Sequence, residues 1–227
     1  MSWEETARAS GPDGEEFILY RSGDDFAIRV DGWELMSSRA HGSEDTLARL
    51  ACQELAGSPL PQVLVGGLGL GYTLRAALDA LPPHSFVSVA EIVPAVVAWN
   101  RGTVGSLNRW PLHDPRVQVI AADVADVLAG SQDRFDAVLL DVDNGPRHLS
   151  RAPNRALYTT DGLRSARGAL RPGGVLAIWA PSADEALSGA LAEAGFSAQV
   201  HPCAPSPGFV RIEHTVFIAR RITETTT

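Results

Sequence analysis

The pattern of apolar and polar positions near the amino terminus is that of short strands separated by turns. Three apolar runs lie at residues 17–20, 26–30 and 33–37. The last two are separated by the pair Asp31-Gly32, which is typical of a β-hairpin when it lies between apolar runs. We therefore predict a small antiparallel β unit within residues 1–40, preceded by a loose lead-in formed by the polar residues 1–15.

From residue 62 onwards, short apolar runs alternate with segments of helical periodicity. The predicted strands occupy residues 63–65, 86–90, 117–121, 135–140 and 175–180. The predicted helices occupy residues 72–81, 92–99, 124–128, 162–170 and 183–194. This α/β alternation predicts a parallel sheet that is covered by helices on both faces. We expect a turn at residues 171–174 and a closing antiparallel hairpin formed by residues 196–201 and 209–219.

A further helix is predicted between these two parts of the chain. Gly42-Ser43-Glu44 resembles a helix start with Ser43 as the N-cap, and the helix would end at Gly57-Ser58-Pro59. We expect residues 41–222 to form the main domain and the Thr-rich residues 223–227 to form a disordered tail.

The composition excludes several classes of function. The chain has 19 basic residues, all of them Arg, against 27 acidic ones, which gives a net charge of −8. Without Lys there is no Schiff-base catalysis with pyridoxal phosphate and no P-loop. The acidic balance disfavours a nucleic-acid partner. We predict no metal site, because Cys52, Cys203 and the histidines lack ligand spacing, and we expect His214 to be structural.

The sequence does not predict export or a membrane partner. The first residues, Met-Ser-Trp-Glu-Glu, are acidic and lack the apolar core of a signal peptide. No run approaches the roughly 20 apolar residues of a membrane span. We therefore expect a cytoplasmic protein.

A glycine-rich segment follows the first strand of the main domain. In Gly66-Gly67-Leu68-Gly69-Leu70-Gly71, the glycines allow a sharp turn and close approach of a ligand, and the next helix offers free N–H groups. Glu91 ends the second strand, 20 residues after Gly71, at a position where a carboxylate bonds ribose hydroxyls. Asp123 follows the third strand, where an acid can meet an adenine amino group.

These features together predict a ligand that contains adenosine. In the alternative interpretation, Glu91 and Asp123 are only acids at helix N-termini, where the helix dipole favours them. NAD would also fit a glycine loop with a ribose-binding acid. The loop lacks the Gly-x-Gly-x-x-Gly spacing, however, and the closing hairpin favours another family of Rossmann-like sheets.

Several segments of the chain match one family of enzymes. They are residues 63–75, 89–91, 114–117 and 122–123. Together they resemble class I S-adenosylmethionine-dependent methyltransferases, and most of all the spermidine synthase (polyamine aminopropyltransferase) branch. Residues 135–146 resemble the fourth strand and catalytic loop of that branch, and residues 39–44 resemble the beginning of its first helix. The resemblance implies a Rossmann-like, seven-stranded methyltransferase sheet with the last strand antiparallel, a small N-terminal β unit and a homodimer.

The resemblance also implies the positions of the functional residues. Those placed around S-adenosylmethionine are Gly66, Gly67, Gly69, Gly71, Glu91, Ile92, Asp123, Val124, Asp141, His41 and Glu44. The catalytic candidates are Asp141, Asp143 and Asn144, with Asp141 close to the attacking amine. In the alternative interpretation, the two aspartates cap the turn that follows them, and His41 and Glu44 are surface residues at a helix start.

One departure from the resembling branch affects the choice of cofactor. Aminopropyltransferases have an Asp in the glycine loop, which binds the free amine of decarboxylated S-adenosylmethionine and would repel the carboxylate of the intact cofactor. Leu68 and Leu70 occupy the non-glycine positions here. We therefore expect intact S-adenosylmethionine to be the better ligand, with Arg39 or Arg75 pairing its carboxylate.

The sequence thus favours an S-adenosylmethionine-dependent transferase that methylates a small molecule. An aminopropyltransferase that uses decarboxylated S-adenosylmethionine is the first alternative, because Asp141 is present. A non-catalytic nucleotide-binding protein is the second. Other attacks on the sulfonium also stay open, since three carbons are bonded to it. The sequence does not identify the acceptor.

Overall fold

The structure, a computed structural model, describes residues 2–142, 152–206 and 214–223. Four strands near the amino terminus form a small antiparallel sheet in the order β1-β2-β3-β4. They are β1 (Glu4–Ser10), β2 (Glu16–Ser22), β3 (Asp25–Val30) and β4 (Trp33–Ser37). The expectation that residues 1–15 are a loose lead-in was wrong for Glu4–Ser10, which form β1. Strand β1 pairs through its backbone with the edge of β2, which lets its charged side chains stay exposed.

Within the described ranges, seven further strands form the main sheet. They are β5 (Gln62–Gly66), β6 (Phe86–Ala90), β7 (Val117–Ile120), β8 (Phe135–Leu140), β9 (Leu170–Ala180), β10 (Phe196–Cys203) and β11 (His214–Arg221). Their order is β10-β11-β9-β8-β5-β6-β7, and β11 is antiparallel to both of its neighbours. This arrangement confirms the predicted α/β fold, in which the last strand runs against the others.

Helices cover both faces of the main sheet. They are α1 (Gly42–Gln53), α2 (Tyr72–Ala80), α3 (Pro94–Arg101), α4 (Val124–Ala129), α5 (Ala152–Leu157), α6 (Thr160–Ala169) and α7 (Glu185–Glu193). Two 3₁₀ turns, Gly105–Asn108 and Pro111–His113, follow α3.

The sheet separates two hydrophobic clusters. The first contains buried side chains of α1, α2, α3 and the small sheet, and the second contains those of α4, α6 and α7. Strand β8 contributes to both, because Leu139 packs in the first cluster and its neighbour Leu140 in the second. This alternation is what a strand covered on both faces requires. Because helices cover both faces of the sheet, the loops and the first turns of the helices meet at the carboxyl ends of the parallel strands.

Among the predicted boundaries that differ from the structure are those of β9 and α1. Strand β9 begins at Leu170, so residues 171–174, which were expected to form a turn, lie inside the strand. The register of β9 against β8 shifts between Phe135 and Ala137. Helix α1 begins at Gly42 with His41 as its N-cap, not Ser43. Gly42 donates its backbone N–H to the carbonyl of Pro205, which fixes where the helix begins. Ser43 therefore lies inside the first turn, and its hydroxyl is directed to a side chain.

Three further features concern metals, thiols and membranes. Among the residues that the structure describes, no group of His, Cys, Asp and Glu side chains is arranged to hold a metal ion. Cys52 and Cys203 are free thiols. No helix within the described ranges is long and apolar enough to cross a bilayer.

Candidate active site

The glycine loop between β5 and α2 requires glycine at specific positions. Gly67 has φ +86°, and a Cβ atom there would lie 2.6 Å from the carbonyl oxygen of Asp141. Gly69 has φ +50°, and a Cβ atom there would collide with the sulfur of Met36, a buried side chain of β4. The loop thus combines left-handed backbone with close packing, which only glycine tolerates. The small sheet also contacts the loop directly, because the N–H of Leu70 points to that sulfur at 3.0 Å.

Two buried asparagines hold the carbonyl groups of the same loop. Asn100, near the end of α3, donates its side-chain N–H to the carbonyl of Gly69 at 2.7 Å. Asn108, at the end of a 3₁₀ turn, donates to the carbonyl of Leu70 at 2.7 Å. The sequence analysis missed both residues. Neither lies in a recognisable motif, and only their polar character at positions that packing buries distinguishes them.

Glu91 directly follows β6, and its carboxylate accepts hydrogen bonds from the backbone of the glycine loop and from that of its own β6–α3 connection. Its Oε2 accepts the N–H of Leu68 at 3.0 Å, and its Oε1 accepts the N–H of Val93 at 2.8 Å. Burial raises the pKa of Glu91, and these backbone donors act in the opposite direction. Each carboxylate oxygen has a second lone pair, so hydrogen bonds from ribose hydroxyls are compatible with this arrangement. The ribose role of Glu91, with the partly buried Ile92 beside it, stays a prediction.

Asp123 is the N-cap of α4. Its Oδ1 accepts the N–H of Ala125 at 2.9 Å, so the capping interpretation describes one of its oxygens. The next residue, Val124, is buried and packs against Gly66, where a Cβ atom would lie 2.8 Å from a methyl carbon of Val124. Gly66 therefore has to be small for α4 to approach the loop. Contact of Asp123 with adenine stays a prediction.

Two carboxylates from different elements meet at the carboxyl end of the sheet. Asp141 directly follows β8, and its Oδ2 accepts the hydroxyl of Thr73, in the first turn of α2, at 2.6 Å. Glu44 lies in the first turn of α1 and is only 5% exposed. Burial and the nearby charge of Asp141 raise the pKa of Glu44 to about 7. The structure therefore brings within electrostatic range of each other two predicted site residues that are 97 positions apart.

A hydrogen-bonded chain extends from Glu44 to the last strand. The hydroxyl of Ser43 lies 2.6 Å from Oε2 of Glu44, and Nδ1 of His214 lies 3.1 Å from the same hydroxyl oxygen. The ring of His214 stands edge-on to Trp179, with the ring centroids 4.9 Å apart. Burial lowers the pKa of His214, so its ring is neutral near pH 7. The sequence analysis had assigned His214 no part in the site, because 171 residues separate it from Ser43.

His41 and Tyr72 form an aromatic pair near Glu44, the first residue of this hydrogen-bonded series. Their rings stack with centroids 3.9 Å apart, and Nδ1 of His41 lies 2.9 Å from Oδ2 of Asp45. The bond to Asp45 raises the pKa of His41, and burial raises the pKa of Tyr72 to about 12. His41 is thus held at the beginning of α1, and its contact with a cofactor stays a prediction. The candidates Asp143 and Asn144 lie outside the described residues.

Comparison with known proteins identifies relatives of the chain. No protein-family model matches it. A polyamine aminopropyltransferase of Mycobacterium tuberculosis is 32% identical over 173 residues, which are 74% of this chain and 31% of that protein. One from Nitrosomonas europaea is 31% identical over 122 residues, which are 54% of this chain and 35% of that protein. The chain therefore spans about a third of the length of these relatives.

Solved structures agree with these sequence relatives. The spermidine synthase of Thermotoga maritima matches with a TM-score of 0.75 and 17% identity, over 97% of this chain and 74% of that one. A spermidine synthase in complex with the transition-state analogue AdoDATO matches with a TM-score of 0.74 and 17% identity, over 97% of this chain and 73% of that one. Both coverages include the small N-terminal sheet.

These relatives overturn the expectation of methyl transfer, because they are named aminopropyltransferases and spermidine synthases. The expectation rested on the missing loop acid and on a cation for the carboxylate of intact S-adenosylmethionine. In the structure Arg39 bonds Asp25, and Arg75 bonds Asp79. The expectation gave most weight to the missing acid of the glycine loop, although Glu44 was already among the predicted cofactor residues.

The resemblance predicted from the motifs is confirmed by the sequence relatives and by the strand order. The seven-stranded sheet with β11 antiparallel and the small amino-terminal sheet are shared with the solved structures. The chain has the spermidine synthase-like fold of the class I S-adenosylmethionine-dependent transferases.

Proposed function

We propose that this protein transfers an aminopropyl group from decarboxylated S-adenosylmethionine to a small amine. The observation on which the proposal depends most is the pair of carboxylates, Glu44 and Asp141, at the carboxyl end of the sheet. Active sites of open α/β sheets lie at this edge. The similarity to polyamine aminopropyltransferases supports the same reaction.

The charges of the site favour the decarboxylated donor over the intact one. Two neighbouring carboxylates, one of them buried, are unfavourable until a cation lies between them. The decarboxylated donor has a sulfonium and an ammonium group, and an amine acceptor adds a further cation. Intact S-adenosylmethionine would add a carboxylate near Glu44 and Asp141, and Arg39 and Arg75 are already paired with other acids.

The residues of the chain have distinct parts in this proposal. Decarboxylated S-adenosylmethionine supplies an electrophilic methylene carbon beside its sulfonium, and displacement there releases 5′-methylthioadenosine. The glycine loop accommodates the adenosine half, with Glu91 at the ribose and Asp123 at the adenine. Asp141 holds the attacking amine in line with the carbon–sulfur bond, with Thr73 fixing its carboxylate. Orientation of this kind is a large part of catalysis in direct displacements.

The proposal is tested by binding and by product release. Calorimetric titration of ligand-stripped protein should show tighter binding of decarboxylated than of intact S-adenosylmethionine. Incubation with the decarboxylated donor and putrescine, spermidine or cadaverine should release methylthioadenosine, measured by liquid chromatography. Preference for the intact cofactor, or binding without release with any of these amines, would contradict the proposal. Light scattering on the same sample tests the predicted homodimer.

A further inference from the structure

Trp179, near the end of β9, lies beside Asp141 on the face of the sheet that α1 covers. Leu140 of β8 pairs with Ile178 of β9 in parallel register, so the next residues of the two strands, Asp141 and Trp179, are neighbours. Trp179 packs in the first hydrophobic cluster, with buried side chains of α1, whereas Ile178 packs in the second. Asp141 faces the same way as Trp179, because it bonds Thr73 of α2.

The first turn of α1 and the beginning of β11 complete the surroundings of the indole ring. The ring of His214 stands edge-on to Trp179, with the ring centroids 4.9 Å apart. The polar atoms of this side are bonded to one another, because the Ser43 hydroxyl lies 3.1 Å from Nδ1 of His214 and 2.6 Å from Oε2 of Glu44. Trp179 is therefore next to Asp141 along the sheet and is connected to Glu44 through His214 and Ser43.

The indole N–H of Trp179 is buried, and it has no hydrogen-bond partner among the residues that the structure describes. The whole residue is 6% exposed. Buried N–H groups of folded proteins are nearly always bonded, because an unpaired one costs more free energy than a bond returns. An indole nitrogen can only donate. A donor of this kind beside the carboxylates of the site indicates that a bound molecule supplies the missing acceptor atom.

The position of Trp179 indicates which substrate supplies that atom. In the strand order, β9 lies next to β8 on the side away from β5, and the glycine loop follows β5. In the proposed function the donor occupies the glycine loop and the attacking amine lies at Asp141. The part of the acceptor beyond its amine is therefore what reaches Trp179.

The chemistry of the N–H group limits what that part of the acceptor contains. An ammonium group has no lone pair, and it would meet the positive edge of the aromatic ring. A carboxylate would bring a third negative charge to Glu44 and Asp141. A hydroxyl, ether or amide oxygen has a lone pair and no net charge, so it satisfies the indole without either cost.

Resting on the proposed function, we propose that Trp179 determines acceptor specificity and selects an amine that also has a neutral oxygen, such as an amino alcohol. The indole N–H donates to that oxygen while the amine lies at Asp141. The amine releases a proton to solvent, its nitrogen bonds to the methylene carbon, and the carbon–sulfur bond breaks with its electron pair passing to sulfur. The oxygen takes no part in the transfer. A diamine of equal length is an acceptor too, but a poorer one.

A series of acceptors tests this specificity on the wild-type protein. Amino alcohols of two to five carbons are compared with the alkylamines and diamines of the same length, with decarboxylated S-adenosylmethionine as donor and methylthioadenosine release as the readout. We expect kcat/KM for the best amino alcohol to exceed that of its alkylamine and of its diamine by at least about tenfold, the worth of one such hydrogen bond. Equal values for the amino alcohols and the alkylamines would overturn the proposal.

The substitution Trp179→Phe tests the N–H group itself, because it keeps an aromatic ring. The preference for the amino alcohol over the alkylamine should fall to within about threefold of one. A merely structural role would lower kcat/KM for both acceptors equally and leave their ratio unchanged, which would contradict the assignment. Trp99→Phe, at a buried tryptophan of α3, is the matched control and should keep the wild-type ratio. Calorimetric titration with methylthioadenosine checks that both variants retain the donor site.

The same assays separate this inference from the proposed function. If no amine, with or without an oxygen, causes release of methylthioadenosine, the proposed function fails and the inference fails with it. If amines are used but the wild type does not distinguish amino alcohols from alkylamines, the inference fails and the function stands.

Discussion

The glycine loop and the carboxylate cluster lie side by side and are built in opposite ways. The loop is six consecutive residues whose carbonyls, at Gly69 and Leu70, are held by two buried asparagines. The carboxylate cluster consists of Glu44 and Asp141 with the residues bonded to them, Ser43, Thr73 and His214. They come from α1, α2, β11 and the end of β8, which are far apart in the chain. One half of the site is therefore a local backbone structure, and the other exists only after the sheet has formed.

This contrast explains which half tolerates a change of residue type. A loop that has to be compact and left-handed permits only glycine at Gly67 and Gly69, whatever the ligand. A carboxylate can reach a shared space from several elements, provided that its head group arrives there. Leu70 has no polar side chain and is fully buried, while Glu44 is an acid in the first turn of α1. Under the proposed function, Glu44 supplies from α1 the negative charge that the loop lacks.

The largest effect should come from removing the fixed charge of the cluster. Asp141→Asn should lower kcat/KM with the decarboxylated donor by about 100-fold or more. In the proposed function Asp141 pairs with the cationic amine, and truncating one partner of such a buried pair of opposite charges costs about 2–5 kcal/mol. Loss of a neighbouring negative charge also favours ionisation of Glu44, so its pKa should fall below about 7. Activity assays and carboxyl NMR measure the two effects.

Asp126→Asn, on the exposed side of α4, is the control for this substitution and should leave both quantities unchanged. A pKa of Glu44 that stays near 7 in Asp141→Asn would mean that burial alone raises it. The two carboxylates would then not form one electrostatic unit, and the contrast with the loop would lose its basis.

A smaller effect, this time on stability, should follow from a methyl group in the loop. Gly69→Ala forces alanine into φ +50° and against Met36, and we expect it to lower the free energy of unfolding by about 1–3 kcal/mol. Gly189→Ala, in α7 with open space around it, should be neutral or stabilising by up to about 1 kcal/mol. Urea unfolding compares the pair, and equal stabilities would show that the loop can relax.

The fold was largely predictable because apolar runs at strand spacing are a local property of the sequence. Strand β8 was predicted with the bounds that the structure has, and β11 was expected to be antiparallel. Strand β1 was missed because an edge strand can pair through its backbone while its side chains stay polar. Edge strands of this kind have no hydrophobic pattern to detect.

The candidate site was predictable only where its residues follow strands or loops in sequence. Glu91 and Asp123 could be proposed because each lies within two residues of the end of a predicted strand. The bond between Ser43 and His214 could not, because it depends on where β11 lies beside β9. The preference for methyl transfer rested on one motif alone, the glycine loop without an acid, and the relatives contradict it.

The smallest effect tests whether the loop is as self-contained as its consecutive sequence suggests. Asn108→Ala leaves the carbonyl of Leu70 buried without its donor, which should lower the free energy of unfolding by about 1–2 kcal/mol. Because the loop would then be less fixed, donor binding measured by calorimetry should weaken severalfold. Ser106→Ala, exposed on the same 3₁₀ turn, is the control. If Asn108→Ala binds donor as tightly as Ser106→Ala does, the loop keeps its shape through its glycines alone, and distant side chains are required only by the carboxylate cluster.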